Sequence, residues 1–250
     1  MITLKNFWNW VIGKWQYLVN EVFVDYQSQT LIGTDHHDTS ESLTDQQFLE
    51  MFNQSQGYGQ TEQNIEEPTK ESIMKRNIAI SVGHKPAHQG ASNKGFTEYL
   101  ESAIIAGLLV NYTGGYLIGT GTLGYKTAQI NNGYIDGKPY EAAVEVHLNA
   151  GGGRGSETLH FPGSEKGKIL ATCIEDQMKT QYRSRGAKPG TWRMEGKVPL
   201  AFLARTNCPS VIVEPFFMDG DAHLLGNIAA YQKVARLIAD GIIDALDKIK

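Results

Sequence analysis

The spacing of apolar residues changes character partway along the chain. Leu4, Phe7, Trp8, Val11, Trp15, Leu18, Val19 and Val22 recur at intervals of three and four, the period of an amphipathic helix. A second short helix is predicted over residues 44–52, where Thr44 and Gln47 stand in the capping-box arrangement. Residues 27–42 between them are polar and loop-like. Residues 53–71 are rich in Gln, Glu, Asn, Ser and Gly and nearly free of aliphatics, too polar to bury enough surface to order themselves. The expected organisation is a helical amino-terminal region (1–53), a polar linker (54–75) and a larger domain (76–250).

Beyond Asn77, apolar runs alternate with helical spacing. Ile78–Val82 reads as a strand, residues 98–112 as a helix, and residues 142–148 alternate with Val144, Val146 and Leu148 on one face. Residues 164–182 read as a helix, 210–213 as a buried strand and 227–249 as a closing amphipathic helix. This alternation predicts an α/β fold, a mainly parallel twisted sheet flanked by helices, with a small helical appendage before it.

Composition narrows the function classes. Hydrophobic residues make up 41% of the 250, enough for one sizeable core. A net charge of −4 and the lack of a Lys/Arg cluster argue against nucleic acid as a partner. Cys173 and Cys208 form no disulfide framework and no Cys-x-x-Cys pair, so both read as buried thiols, with a single pairing left open. No stretch approaches the ~18 consecutive apolar residues of a membrane span. Residues 1–23 are interrupted by Lys5, Asn6, Asn9, Lys14, Gln16, Asn20 and Glu21, with no small-residue cleavage site after them. They read as lacking a secretory signal.

The chemistry concentrates in His84, Glu98, His147 and Glu214, each beside a strand-like run. Taken singly, each has a plain structural reading: a turn histidine, an acid favoured by a helix dipole, a half-buried strand histidine. Glu214 is harder to place so, because it follows Val211-Ile212-Val213 and precedes Pro215-Phe216-Phe217. An unpaired charge there is costly, which calls for a metal, a partner or a raised pKa. In an open α/β sheet the functional crevice lies at the carboxyl ends of the strands, where these residues would converge. Two imidazoles and one carboxylate are a common zinc ligand set with a position left for water. A second carboxylate could take the proton from that water, which makes the reaction type metal-assisted hydrolysis. Glu101 shares a helical face with Glu98 and is a rival ligand.

The segments Gly83-His84, a loop from Gly90 to Gly95, Glu98 opening a helix, His147-Leu148-Asn149-Ala150 and Val213-Glu214-Pro215-Phe216-Phe217 form a joint pattern. With Gly155-Ser156-Glu157-Thr158 and Arg185-Gly186, it resembles the zinc-dependent N-acetylmuramoyl-L-alanine amidases of the Amidase_3 type, found in bacterial cell-wall hydrolases and phage endolysins. The resemblance covers residues 77–247. The loop Lys85-Pro86-Ala87-His88 departs from the glycine-rich run usual there, and residues 114–140 are shorter and richer in glycine than in the family.

The resemblance implies Zn2+ held by His84, Glu98 and His147, with Glu214 as catalytic base; the family's spacing favours Glu98 over Glu101. Asn149 and Glu157 are candidates for orienting the ligand rings. Arg193, beside Trp192, is a candidate contact for sugar or peptide, while His88, His160 and His223 are expected on loops or the surface. The implied substrate is peptidoglycan, cut between N-acetylmuramic acid and L-alanine. Without a secretory signal the expectation is a phage lysin, held in the cytoplasm of the producing cell and acting on the wall after release. Two alternatives are a zinc peptidase with another peptide substrate and an inactive wall-binding protein. The amino-terminal helix is expected either to pack on the catalytic domain or to bind wall or membrane.

Overall fold

The computed structural model describes residues 76–135, 137–191 and 198–249. The two amino-terminal helices, the linker, Trp192 and Arg193 lie outside the described residues.

Strand β1 (Ile78–Val82) is followed by a hairpin of β2 (Ser92–Asn93) and β3 (Phe96–Thr97), helix α1 (Glu98–Thr113), β4 (Tyr116–Leu117) and helix α2 (Leu123–Asn132). A second small hairpin, β5 (Tyr134–Ile135) with β6 (Lys138–Pro139), leads into β7 (Ala142–Val146) and β8 (Ser156–His160). Helix α3 (Glu165–Met178), β9 (Ser184–Pro189), helix α4 (Ala201–Arg205), β10 (Ser210–Glu214) and helix α5 (Ile228–Lys248) complete the domain.

The main sheet runs β4-β1-β7-β10-β8-β9, and only the β8–β10 pairing is antiparallel. Strands β1 and β7 are buried at every position, as central parallel strands covered on both faces are. Ile78, Ile80, Val82, Val144, Val146, Val211 and Val213 point to one face, where Leu109 of α1, Leu170 and Ile174 of α3 and Ile238 of α5 meet them. Ala79, Ala143 and Ile212 point the other way, against Ile130 of α2 and Phe202 and Leu203 of α4. The result is the expected α/β fold, a mainly parallel sheet flanked by helices. It delivers the carboxyl ends of β1, β7 and β10 to one edge, in register from Val82 to Val146 to Val213.

Three departures from the sequence reading have physical reasons. The helix expected over 164–182 is shorter, because Ser164 caps its start by accepting from Gly167 N, and the chain turns after Met178 to run β9 beside β8. Strand β8 carries Ser156 and Thr158 at fully buried positions, so its hydropathy conceals it. Their hydroxyls donate to the buried Glu175 carboxylate of α3 at 2.8 and 2.7 Å, which satisfies polar groups inside the core. His160, expected on a loop or the surface, is instead a buried residue of that strand, its Nδ1 3.0 Å from Phe161 O. Cys173 is a buried free thiol and Cys208 a half-buried one. No helix among the described residues is long and apolar enough to cross a membrane.

Candidate metal centre

Three of the predicted residues meet at the sheet edge. One ligand atom from each of His84, Glu98 and His147 lies within 4.8 Å of those of the other two. His84 Nε2 is 2.9 Å from Glu98 Oε2, and His147 Nδ1 is 2.8 Å from Glu98 Oε1. The two imidazoles stand edge to face, ring centroids 5.0 Å apart.

Local backbone explains how they approach. His84 follows β1 with φ 62°, a left-handed conformation rare for a residue with a side chain, and this turns its ring out of the strand direction. Gly83 lies under the His147 ring, where a Cβ would fall 2.5 Å from ring atoms. Gly90, at φ 74°, has the same role on the other side: a Cβ there would sit 2.4 Å from Glu98 Oε2 and 2.5 Å from His84 Nε2. Glu98 opens α1, and its carboxylate accepts from Ala91 N at 3.1 Å and Leu148 N at 3.3 Å.

Burial raises the proton affinity of the Glu98 carboxylate, but hydrogen bonds from His147 and His84 outweigh it and hold the pKa at about 2. Burial works against the His147 imidazolium, yet Glu145 and Glu98 on its two nitrogens raise its pKa to about 10. The cluster is thus one anionic carboxylate between two imidazoles, of which His147 holds its proton tightly, and a divalent cation substitutes for that proton directly. The donor set of two histidine nitrogens and one carboxylate fits zinc.

Glu101 belongs elsewhere. It is buried, accepts from Tyr231 Oη and from Gly226 N at 3.3 Å, and ties α1 to the start of α5; burial pushes its pKa up.

Beside the cluster, Glu214 ends β10 directly opposite Glu157 of β8. Asn149 Nδ2 donates to Glu214 Oε2 and, at 2.9 Å, to Glu157 Oε1. Asn149 and Glu157 therefore bear on Glu214 rather than on the imidazole rings they were expected to orient. Burial, added to the negative charges of Glu157 and Glu98, pushes Glu214 up to about 7, with His147 pulling the other way. Burial also disfavours the Glu157 anion, but Lys188 Nζ at 2.5 Å and Arg185 Nε at 2.7 Å hold its pKa below the ordinary carboxylate value. Glu214, Glu157, Asn149, Arg185 and Phe217 line an open cleft of about 340 Å³. The Arg185 guanidinium lies 4.8 Å above the Phe217 ring.

One residue of the centre escaped the sequence reading. Glu145, buried on β7 two positions before His147, places Oε1 3.1 Å from His147 Nε2 and so orients that ring. The signal available in the sequence was a carboxylate inside the apolar stretch Ala142–Val146, with the same-face spacing of two to a histidine.

Residues 78–244 match the model of the family described as N-acetylmuramoyl-L-alanine amidase. No curated protein matches the sequence. Among solved structures, the catalytic domain of an endolysin targeting Clostridia difficile is 26% identical with a TM-score of 0.56, over 68% of this chain and 97% of that one. The CwlD amidase from Clostridioides difficile, solved in complex with the GerS lipoprotein, is 23% identical with a TM-score of 0.58, over 69% of this chain and 99% of that one. An amidase of Nostoc punctiforme, 18% identical with a TM-score of 0.58, shares the fold over 70% of this chain and 99% of that one.

Proposed function

The chain belongs to the N-acetylmuramoyl-L-alanine amidase family, and from that premise we propose that it is a zinc hydrolase in which His84, Glu98 and His147 hold the metal and Glu214 is the general base. The reaction class is hydrolysis of the amide joining N-acetylmuramic acid to L-alanine in peptidoglycan. The observation that carries the metal assignment is the convergence of the His84, Glu98 and His147 ligand atoms within 4.8 Å at the edge of the sheet.

Zinc, when bound, supplies a water of lowered pKa and polarises the scissile carbonyl. The residues of the chain supply the proton transfers. Glu214, whose pKa the surrounding residues raise to about 7 before any cation is bound, ionises more fully beside a bound cation and can accept a proton from the attacking water. The same raised affinity lets it hold that proton and then release it to the departing amine of L-alanine. Asn149, donating to Glu214 Oε2, fixes the carboxylate so that its other oxygen is left for the water. Glu157 stays anionic between Arg185 and Lys188 and keeps the proton affinity of Glu214 high. Glu145 keeps the His147 ring turned so that Nδ1 faces Glu98. Arg193 and Trp192 are proposed as substrate contacts on sequence grounds alone.

We also read the enzyme as a lysin of phage type. The support is its likeness to an endolysin catalytic domain, 26% identical over 97% of that domain.

The assignment is tested by titrating the metal-free protein with zinc. One equivalent is expected to bind, and His84→Ala or His147→Ala is expected to abolish tight binding. Equal affinity in His147→Ala would remove that residue from the ligand set.

A further inference from the structure

Helix α2 sends a lysine into the core behind the metal centre. Lys126 is 4% exposed, and so is the Glu145 carboxylate it meets, Nζ to Oε2 at 2.5 Å. Lys126 Nζ also donates to Val82 O at 2.7 Å, the carbonyl at the end of β1 two residues before His84. Ser81 Oγ donates to the same Glu145 oxygen at 3.1 Å, leaving Oε1 for His147 Nε2. One ammonium thus ties the strand end that carries His84 to the carboxylate that aligns His147.

A fully buried ion pair is a weak source of net stability, because desolvating two charges offsets most of their attraction. Here the pair sits at the junction of β1 and β7, and two of its other contacts, Val82 O and His147 Nε2, lead to the metal centre. A hydrophobic contact of the same size would fill the space but would leave the buried Glu145 charge without its cation and would remove the side-chain donor to Val82 O.

Resting on the zinc reading above, we propose that Lys126 is a positioning residue for the metal centre: with Glu145 it fixes the His84 backbone and the His147 ring in the geometry that binds zinc. Its contribution is to metal affinity, beyond what its burial contributes to the fold. Loss of a group that orders a metal-binding histidine typically costs about 10- to 100-fold in affinity.

The test measures zinc affinity by competition with a chelator of known strength, alongside the thermal midpoint of the metal-free protein, for the full chain and four variants. Lys126→Met and Glu145→Gln are each expected to weaken zinc binding about 10- to 100-fold. The double variant should be no weaker than the worse single one, since the two residues form one unit. Glu175→Gln removes another buried carboxylate, remote from the metal centre, whose partners are Ser156, Thr158 and Ser184. It should lower the thermal midpoint and leave zinc affinity within twofold. If Lys126→Met proves too unstable to titrate, Glu145→Gln, which keeps a polar group of the same size, decides the question alone. Zinc affinity within twofold of the unmodified protein in Glu145→Gln and in any folded Lys126→Met would overturn the proposal while leaving the zinc reading intact. An unmodified protein that binds no zinc would overturn both.

Discussion

Glu157 and Glu214 face each other in register across the antiparallel strands β8 and β10, and a single amide, Asn149 Nδ2, donates to both. The two carboxylates have opposite environments. Arg185 and Lys188 compensate Glu157, whereas Glu214 is raised by burial and by the charges of Glu157 and Glu98. Environments that push neighbouring acids apart in pKa are how one site keeps a permanent anion beside a working base.

Replacing Glu214 by Gln keeps the side-chain volume and removes the base. Amide hydrolysis should fall by about 10²–10⁴-fold, the range for loss of general acid–base catalysis. Bound zinc, measured by elemental analysis, should remain at the level of the unmodified protein. A fully active Glu214→Gln would assign the proton transfer to another group.

The pH profile follows from the same carboxylate. Its ionised form is the base, so activity should fall as pH drops through the Glu214 pKa, raised above the ordinary carboxylate range in the metal-free protein. A bound cation favours the anion and moves this limb to lower pH. Glu157→Gln removes the neighbouring negative charge, which lowers the Glu214 pKa further. The acid limb of kcat/KM should therefore shift down by about one pH unit. A limb unmoved by Glu157→Gln would uncouple the two acids.

Stability of the metal-free protein carries an independent signature. Glu214 binds its proton more tightly folded than unfolded, since its pKa is raised from 4.5 to about 7. Its contribution is favourable below the unfolded value and declines as pH rises through the folded one. Glu214→Gln removes this penalty. At pH 8 the metal-free variant should be more stable by roughly 1–3 kcal/mol in chemical denaturation, and the gain should shrink toward pH 4. A loss of stability at pH 8 would contradict the raised pKa.

Gly90 provides a steric test. A methyl group there would meet Glu98 Oε2 at 2.4 Å and His84 Nε2 at 2.5 Å, on a backbone with φ 74°. Gly90→Ala should cost about 1–3 kcal/mol of stability and lower activity by about 10²-fold or more through displaced ligands. Gly137, also at positive φ but with open space around its Cβ position, is the control for backbone strain alone. Gly137→Ala should leave activity unchanged.

How much of this was legible in the sequence depended on the range over which each signal acts. His84, His147 and Glu214 could be placed because each ends a short apolar strand, and the parallel topology brings those ends to one edge. Glu98 could be placed because it opens α1. Helical position alone did not separate Glu98 from Glu101, since both lie in the first turn of that helix; the family's spacing favoured Glu98, and the contact that occupies Glu101 comes from Tyr231 in α5. Strand β8 was missed because Ser156 and Thr158 are satisfied by Glu175, a partner on the following helix. Lys126 drew no attention in a glycine-flanked polar stretch, and its meaning appears only when α2 packs behind β1 and β7. Polar residues whose partners are remote in sequence were the illegible part.

The central claim is that this amidase cuts peptidoglycan with a metal held by His84, Glu98 and His147. The most direct measurement is mass spectrometry of the products released from purified peptidoglycan by the metal-stripped protein, the zinc-restored protein and zinc-restored His147→Ala. Stem peptides beginning at L-alanine should be released by the zinc-restored protein alone. Release of the same peptides by the metal-stripped protein or by His147→Ala would contradict the claim.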